Sequence, residues 1–243
     1  LLLAVYSFMD SAIIGRSGSF TVKNYVYLFH SEDLRSMIFG TLILAVIVAV
    51  ISTILGTLGA IGAFYSSKKL KRPIHLMNQI PVVNADVVTG FSICVLLIVF
   101  FKMDKASYIP LVIGLVSLCS PFVYLSVIPR LKQMDPQLYE AALDLGCSPF
   151  GALRKVVLPQ LTSGIVSGFM MSITLTLDDY FITTYTKPSM FDTISTYVVN
   201  ATKGAQTDVK TALWALSTII FLIVIFVVIG MNHTGRKEND HEI

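Results

Sequence analysis

Five apolar stretches, each long enough to cross a lipid bilayer as a helix, constrain this chain more than any other feature. They cover approximately residues 37–65, 80–101, 108–128, 161–185 and 212–231. A helix needs about 20 residues to cross a hydrocarbon core about 30 Å thick, and each stretch has that length. The hydrophobic fraction of 54% and the mean hydropathy of +0.74 exceed what one soluble core requires. The sequence therefore predicts an all-α, polytopic membrane helix bundle.

The chain begins with a short apolar stub, residues 1–8, that cannot cross a membrane alone. We interpret the stub as the remnant of a first spanning helix, so the bundle is predicted to have six spans with the first truncated. Residues 9–36 are then predicted to be an extracytoplasmic segment and residues 37–231 the transmembrane domain. Residues 232–243 are predicted to be a cytoplasmic tail.

The orientation of the bundle follows from the positions of Lys and Arg, since short loops rich in these residues stay in the cytoplasm. Segment 66–73 contains four cations in eight residues and is therefore predicted to be cytoplasmic. The other loops alternate across the membrane. This alternation puts the long loop 130–158 on the cytoplasmic side, together with both termini.

Composition and motifs exclude several other classes of protein. With 18 Lys plus Arg against 15 Asp plus Glu, the net charge of +3 is too balanced to predict nucleic acid as the main partner. The three cysteines imply no disulfide framework, and the four histidines lack the spacing of metal ligands. The chain has no GxxxxGK[ST] loop to hold ATP phosphates. We therefore predict that it is not an enzyme and that it holds no metal or cofactor.

Glycines at helical spacing mark places where spanning helices are expected to touch. Gly56, Gly59 and Gly62 lie in the predicted second span, and Gly164 and Gly168 form a GxxxG pair in the fifth. Small residues let two backbones approach closely in lipid. The alternative is that these glycines only reflect the general frequency of Gly in membrane helices.

The loop 130–158 is polar, yet its pattern predicts two short helices. Asp135 precedes a proline, as an N-cap residue does, and Gly146 ends the first helical pattern. Ser148 precedes another proline and predicts a second N-cap. Apolar residues recur at helical spacing in both helices: Leu138, Ala141, Ala142, Leu145, Phe150, Leu153, Val156 and Val157. A helix with such a face, projecting from the bundle, needs something to cover it.

The segment Glu140-Ala141-Ala142, followed by Gly146 and then Leu158-Pro159, resembles the EAA signature of the transmembrane subunits of bacterial binding-protein-dependent ABC importers. The resemblance covers roughly residues 37–231 and implies the permease fold of type I importers. It also implies that this loop is a coupling helix that fits a groove on a separate ATPase subunit. The implied coupling residues are Glu140, Ala141, Ala142, Asp144, Gly146, Leu158 and Pro159. Without the resemblance, Glu140 would be interpreted as a solvated helix charge.

The same resemblance implies the partners of the chain. These are a second, homologous permease, two ATPase subunits that bind ATP and Mg²⁺, and an extracytoplasmic solute-binding protein. The chain itself would form the translocation pathway and transmit force, because it has no nucleotide site of its own.

Carboxylates inside predicted spans are candidates for the substrate pathway, because such charges cost about 2.5–3.5 kcal/mol at the centre of a membrane helix. Asp86 lies about 18 Å beyond the cytoplasmic loop if the chain is helical, which is near the middle of the membrane. Asp178 and Asp179 lie towards the outer end of the fifth span. One is expected to face the pathway while the other pairs or caps, and Tyr180 and Tyr185 would add cation–π attraction. The alternative is that these acids hold helices together or contact headgroup water.

The segment Thr-Leu-Asp-Asp-Tyr-Phe-Ile-Thr at 176–183 resembles the fifth span of the second permease subunit of spermidine/putrescine importers. Residues 211–218 are similar to the start of the last helix in those proteins. This chain departs from them at 187–190, where it has Lys-Pro-Ser-Met instead of a Gly-Pro pair. The resemblance implies a small cationic substrate. Permeases for ferric ion, phosphonates or opines share the scaffold, and a secondary transporter that uses the acids for ion coupling is the alternative from another class.

Overall fold

The computed structural model describes residues 7–8, 19–21, 26, 30–83, 86–135, 137–203, 218, 222 and 225. Most of the stub and of the segment predicted at 9–36, almost all of the last predicted span at 212–231, and the tail at 232–243 lie outside the described residues. The regular elements of the described part are α-helices and two short π-helical segments.

Two helices are long and apolar enough to cross a membrane within the described part of the chain. Helix α1, Glu32–Tyr65, begins before residue 37 because Ser31 caps it, with its hydroxyl accepting a hydrogen bond from the Leu34 amide. Helix α1 belongs to the second predicted span, and the other long helix, Ile109–Gln133, belongs to the fourth. The bounds of the elements that follow α1 are α2 Lys68–Val83, α3 Asp86–Cys94, a π-helical segment Val95–Phe100, and α4 Ile109–Gln133.

The predicted third span, 80–101, begins in α2 and continues in α3 and the π-helical segment, and residues 84 and 85 lie outside the described residues. Helix α2 runs from the basic segment to Val83, and α3 begins at Asp86. The basic segment 66–73 is therefore helical from Lys68 onwards. Helix α2 is amphipathic and carries the cations of this segment in its first turns. The apolar helical part, Val87–Phe100, is shorter than α1 or α4.

The predicted fifth span, 161–185, is broken, because one helix ends at Asp178 and the next begins at Phe181. It is preceded by a helical segment that ends at Gln160 and meets the following helix at an angle of 71°. This bent pair is a third candidate span if its two halves are counted together. The bounds in this region are α5 Gln137–Asp144, α6 Pro149–Ala152, a π-helical segment Leu153–Val157, α7 Leu158–Gln160, α8 Thr162–Asp178, α9 Phe181–Thr186 and α10 Ile194–Lys203.

Helix α4 is the centre of the described bundle, and α1 and α8 pack against it. A Cβ atom added to Gly56 of α1 would lie 2.6 Å from the Cβ of Val123, and one added to Gly168 of α8 would lie 3.0 Å from the Cγ1 of the same residue. A Cβ atom added to Gly164 of α8 would lie 3.0 Å from the Ser126 carbonyl oxygen of α4. The prediction of close helix contacts is confirmed at these three glycines.

At the other two glycines of α1 the approach is looser, and for Gly62 the prediction is wrong. A Cβ atom added to Gly59 would only reach ordinary van der Waals distance, 4.0 Å from Tyr124, and one added to Gly62 would meet nothing within 4 Å. Residues 59 and 62 lie three and six positions after Gly56, so the helical rotation of about 100° per residue turns them away from the contact line.

Candidate functional site

The first candidate site is the elbow, which we define as residues 135–160, between α4 and α8. The rings of Tyr65, the last residue of α1, and Tyr139 of α5 lie 4.9 Å apart. This contact puts the elbow at the same end of the bundle as the start of α2. The basic segment 66–73 and the loop 130–158 therefore lie at one end, as predicted.

Local hydrogen bonds fix the shape of the elbow. The Asp135 carboxylate accepts from the Gln137 amide at 2.9 Å before α5, and the Ser148 hydroxyl accepts from the Gly151 amide at 3.2 Å before α6. Gly146 has φ = +85°, a conformation that side chains with a Cβ rarely adopt. A backbone hydrogen bond closes the end of α5, because the Cys147 amide donates to the Ala142 carbonyl at 3.0 Å. The predicted caps and the predicted turn are confirmed.

The apolar face of the elbow is only partly covered by the bundle. Ala142 is buried, whereas Ala141 and Leu138 are exposed. Leu145 is 87% exposed and Phe150 is 75% exposed. Single exposed apolar residues are ordinary on protein surfaces, and the elbow carries several of them within one short stretch of the chain. Of the other residues predicted for coupling, Glu140, Asp144 and Pro159 are exposed and Leu158 is half-buried.

The second candidate site is the break between α8 and α9, where the two predicted aspartates lie. Asp179 is extended, with φ = −65° and ψ = 123°, and its side chain is buried. Its Oδ2 accepts hydrogen bonds from the amide and the hydroxyl of Thr183, both at 2.8 Å. Asp179 therefore caps the first turn of α9 from the residue before Tyr180, which occupies the N-cap position. The side chain of Asp178 is exposed, and its main-chain carbonyl accepts from the Ser195 hydroxyl at 3.2 Å.

The two acids do not lie within one continuous helix, because the helix α8 ends at Asp178 and Asp179 follows it in an extended conformation. One of the pair does cap, as expected, but the cap belongs to the next helix, and the sequence pattern did not indicate which residue would form it.

Helix α9 is held between two glycines. A Cβ atom added to Gly90 of α3 would lie 3.1 Å from the Ile182 amide nitrogen, and one added to Gly114 of α4 would lie 2.8 Å from the Ile182 Cγ2. Ile182 is fully buried between them. Asp86, the first residue of α3, thus belongs to the helix that packs against α9.

Of the two predicted tyrosines, Tyr180 directly precedes this short helix and Tyr185 lies within it, and both are half-buried. Tyr180 packs edge-on against Phe181 at 5.3 Å, and Tyr185 packs edge-on against Phe91 of α3 at 5.9 Å. The carbonyl of Tyr185 also accepts from the Cys94 thiol at 3.3 Å. The structure therefore brings the tyrosines to the helix that follows the acid pair.

A polar corner formed by residues 187–196 was not predicted as functional. Lys187 forms an ion pair with Asp192 at 2.7 Å, and the Asp192 carboxylate also accepts from the Thr196 hydroxyl at 3.2 Å. The only sequence signal here was the departure from the resembling family at 187–190. That departure pointed to a difference without indicating its chemistry.

We expect Asp179→Ala to lower the free energy of unfolding by about 1–2 kcal/mol, the usual cost of losing an N-cap. Asp178→Ala removes an exposed carboxylate and should change stability by less than about 0.5 kcal/mol. The measurement is thermal unfolding of the purified protein in detergent. Equal losses in the two variants would contradict the capping role of Asp179.

The chain is similar in sequence to membrane components of bacterial transport systems. A sequence profile of proteins described as binding-protein-dependent transport system inner membrane component matches residues 52–234. The spermidine/putrescine transport system permease protein PotC of Escherichia coli K12 is 28% identical over 240 residues, which cover 98% of this chain and 88% of the relative. The putrescine transport system permease protein PotI of the same strain is 28% identical over 233 residues, covering 90% and 79%.

Solved structures of ABC transporters are similar to this chain in their fold. A bacterial ABC transporter involved in the import of the acidic polysaccharide alginate matches with a TM-score of 0.69 and 18% identity, over 90% of this chain and 84% of that one. The methionine ABC transporter MetNI, in an inward-facing conformation, matches with a TM-score of 0.65 and 14% identity, over 85% and 98%. The chain belongs to the family of inner membrane components of binding-protein-dependent transport systems, and it has the all-α permease fold of ABC importers.

Proposed function

We propose that this chain forms the translocation pathway for a polyamine in an ATP-driven importer and that its elbow docks on a separate ATPase. The observation that carries the proposal is the apolar surface on the elbow, which the bundle leaves exposed at Leu145 and Phe150. In this assignment ATP and Mg²⁺ bind to the ATPase partner. A second permease and an extracytoplasmic solute-binding protein complete the importer.

The coupling role rests on shape and chemistry together. Gly146 turns the chain sharply between α5 and α6, so the exposed side chains lie around one corner. Ala141 is small and exposed, which permits close approach of a partner, and Glu140 is available to a partner cation. The basic segment at the same end of the bundle supports a cytoplasmic orientation for the elbow, where a cytoplasmic ATPase can reach it.

The polyamine substrate is supported by the two relatives whose names specify spermidine or putrescine transport and by the exposed carboxylate of Asp178. An exposed carboxylate attracts a cationic substrate. Since Asp179 already caps α9 through Thr183, we assign contact with the substrate to Asp178. Asp86, Tyr180 and Tyr185 line the same pathway in this proposal.

In the proposed cycle, closure of the ATPase pair carries the elbow with it. The elbow continues into α8 through the 71° bend, so displacement of the elbow changes the direction of α8. The helix break at Asp179 lies at the other end of α8. A rigid segment between two bends is a structure that a hinge mechanism can use to alternate access.

The test is ATP-dependent uptake of radiolabelled putrescine and spermidine into proteoliposomes that contain the complete importer. We expect Asp178→Asn to lower uptake about tenfold, because a charged hydrogen bond contributes about 1.5–3 kcal/mol and about 1.4 kcal/mol corresponds to tenfold in rate. Asp178→Glu should restore most of the activity. The amount of ATPase bound to each variant is the control.

Three results would contradict the proposal. Uptake that persists without ATP would favour a secondary transporter. Uptake of ferric ion, a phosphonate or an opine in place of polyamines would keep the coupling assignment and replace the substrate. Wild-type rates for Asp178→Asn would remove this residue from the pathway.

A further inference from the structure

A polar cavity lies at the end of the bundle opposite the elbow, among residues that the proposed coupling and pathway do not use. It has a volume of about 600 Å³, and Ser36, Met37, Tyr108, Phe191, Asp192 and Tyr197 are among its lining residues. It lies between the first turns of α1, the start of α4, the turn before α10 and α10 itself. This volume is in the range of small-molecule sites.

Aromatic rings form part of the cavity wall. The rings of Tyr108 and Phe191 meet edge to face, with centroids 5.2 Å apart and planes at 78°. Gly40 of α1 lets Phe191 lie against the helix, since an added Cβ would be 3.1 Å from its Cε2. Tyr197 lines the cavity from α10. Rings with exposed faces attract organic cations.

Asp192 is the charged side chain of this cavity among the described residues that line it. Its Oδ1 accepts from the Lys187 ammonium at 2.7 Å and from the Thr196 hydroxyl at 3.2 Å. Lys187 lies behind the carboxylate, because its ammonium also donates to the Phe191 carbonyl at 2.9 Å. The Lys187 side chain is 15% exposed and that of Asp192 is 44% exposed. A molecule entering the cavity therefore meets the carboxylate before the ammonium.

We propose that this cavity binds the ammonium group of an amine cation, with Asp192 as its counter-ion and Tyr108, Phe191 and Tyr197 as its walls. The inference rests on the proposed function, which it deepens by adding an outer site for the same class of substrate. Lys187 acts as an internal competitor, since it neutralises Asp192 when the cavity is empty. An entering amine takes the accessible side of the carboxylate and weakens the Lys187 pair.

The position of the cavity relative to the α8–α9 break supports this role. Two consecutive residues of α10, Ser195 and Thr196, connect the two carboxylate-bearing residues. Ser195 donates to the main chain of Asp178, and Thr196 donates to the side chain of Asp192. An amine released from the cavity would therefore be next to the segment that carries Asp178.

The experiment measures equilibrium binding of radiolabelled putrescine to the purified importer complex in nanodiscs, without the solute-binding protein. Asp192→Asn is expected to raise the dissociation constant about tenfold or more, because it removes the counter-ion. Lys187→Met is expected to lower the dissociation constant about threefold or more, because it removes the competitor. Unlabelled putrescine should displace the label, whereas the neutral 1,4-butanediol should not.

The matched control is Asp104→Asn, which removes an exposed carboxylate from the turn before α4 that caps only Ala106 and does not line the cavity. Equal effects of Asp104→Asn and Asp192→Asn would overturn the proposal. So would displacement by 1,4-butanediol, or a dissociation constant that is unchanged or raised in Lys187→Met. If Asp192→Asn does not fold, the dissociation constant of Lys187→Met tests the proposal.

The binding and uptake measurements distinguish failure of the cavity assignment from failure of the proposed function. Normal ATP-dependent uptake, together with putrescine binding that ignores both Asp192 and Lys187, would overturn the cavity assignment and leave the proposed function intact. Binding that responds to the two variants in opposite directions, in a complex that takes up no polyamine, would support the cavity and contradict the proposed function.

Discussion

Replacing Leu145 and Phe150 together by aspartate is expected to abolish co-purification of the ATPase with this chain and to stop ATP-dependent uptake. Burial of one large apolar side chain contributes about 1.5–3 kcal/mol. Losing two such contacts, with charges put in their place, should weaken the complex by more than about 100-fold. Both side chains are largely exposed in the isolated chain, so the substitutions should not reduce its folding. The measurement is the ratio of ATPase to permease after affinity purification.

The matched control for this pair is Met190→Asp, which changes another highly exposed apolar residue, in the turn before α10. That variant should keep the full amount of ATPase, because it lies at the opposite end of the bundle. Undiminished ATPase in the Leu145 and Phe150 double variant, or an equal loss in Met190→Asp, would contradict docking at the elbow.

The second large effect is expected from Gly56→Val, which should prevent correct packing of α1 on α4. The new Cβ would lie 2.6 Å from the Val123 Cβ and 2.8 Å from the Ser120 carbonyl oxygen. Neither atom is the end of a flexible side chain, so the two helices must separate. Overpacking typically costs about 1–3 kcal/mol, and a clash with backbone should reach or exceed the upper value. The measurement is the yield of monodisperse protein by size-exclusion chromatography.

Gly62→Val provides the comparison, since it makes the same substitution in the same helix at a position where an added Cβ meets nothing within 4 Å. Its yield should match that of the unchanged protein. If Gly62→Val were as damaging as Gly56→Val, the effect would come from the valine in the helix and not from the contact with α4.

The elbow was predictable from sequence because the interactions that form it are local. The side chains of Asp135 and Ser148 cap helices that begin within three residues, and Gly146 needs only its own backbone freedom. Each signal therefore lies within one short stretch of sequence. The exposure of Leu145 and Phe150 was also indicated, since their helices have more apolar residues than the adjoining bundle can cover.

The break between α8 and α9 was not predictable in the same way. Continuous hydropathy from 161 to 185 indicated one helix, and the Asp179 cap on Thr183 competes with that pattern only when α9 has a place to pack. This place is formed by Gly90 and Gly114, which are distant from α9 in sequence. The contact with Ile182 is tertiary, and a periodic pattern within one segment contains no information about it.

Val123 lies against both neighbouring helices, close to Gly56 of α1 and to Gly168 of α8. A side chain larger than glycine at either position would meet this valine, so α1 and α8 pack tightly on α4 only with glycine there. The three helices therefore form one closely packed unit at this level. Large displacements are expected at the two bends that flank this unit, one between the elbow and α8 and the other between α8 and α9.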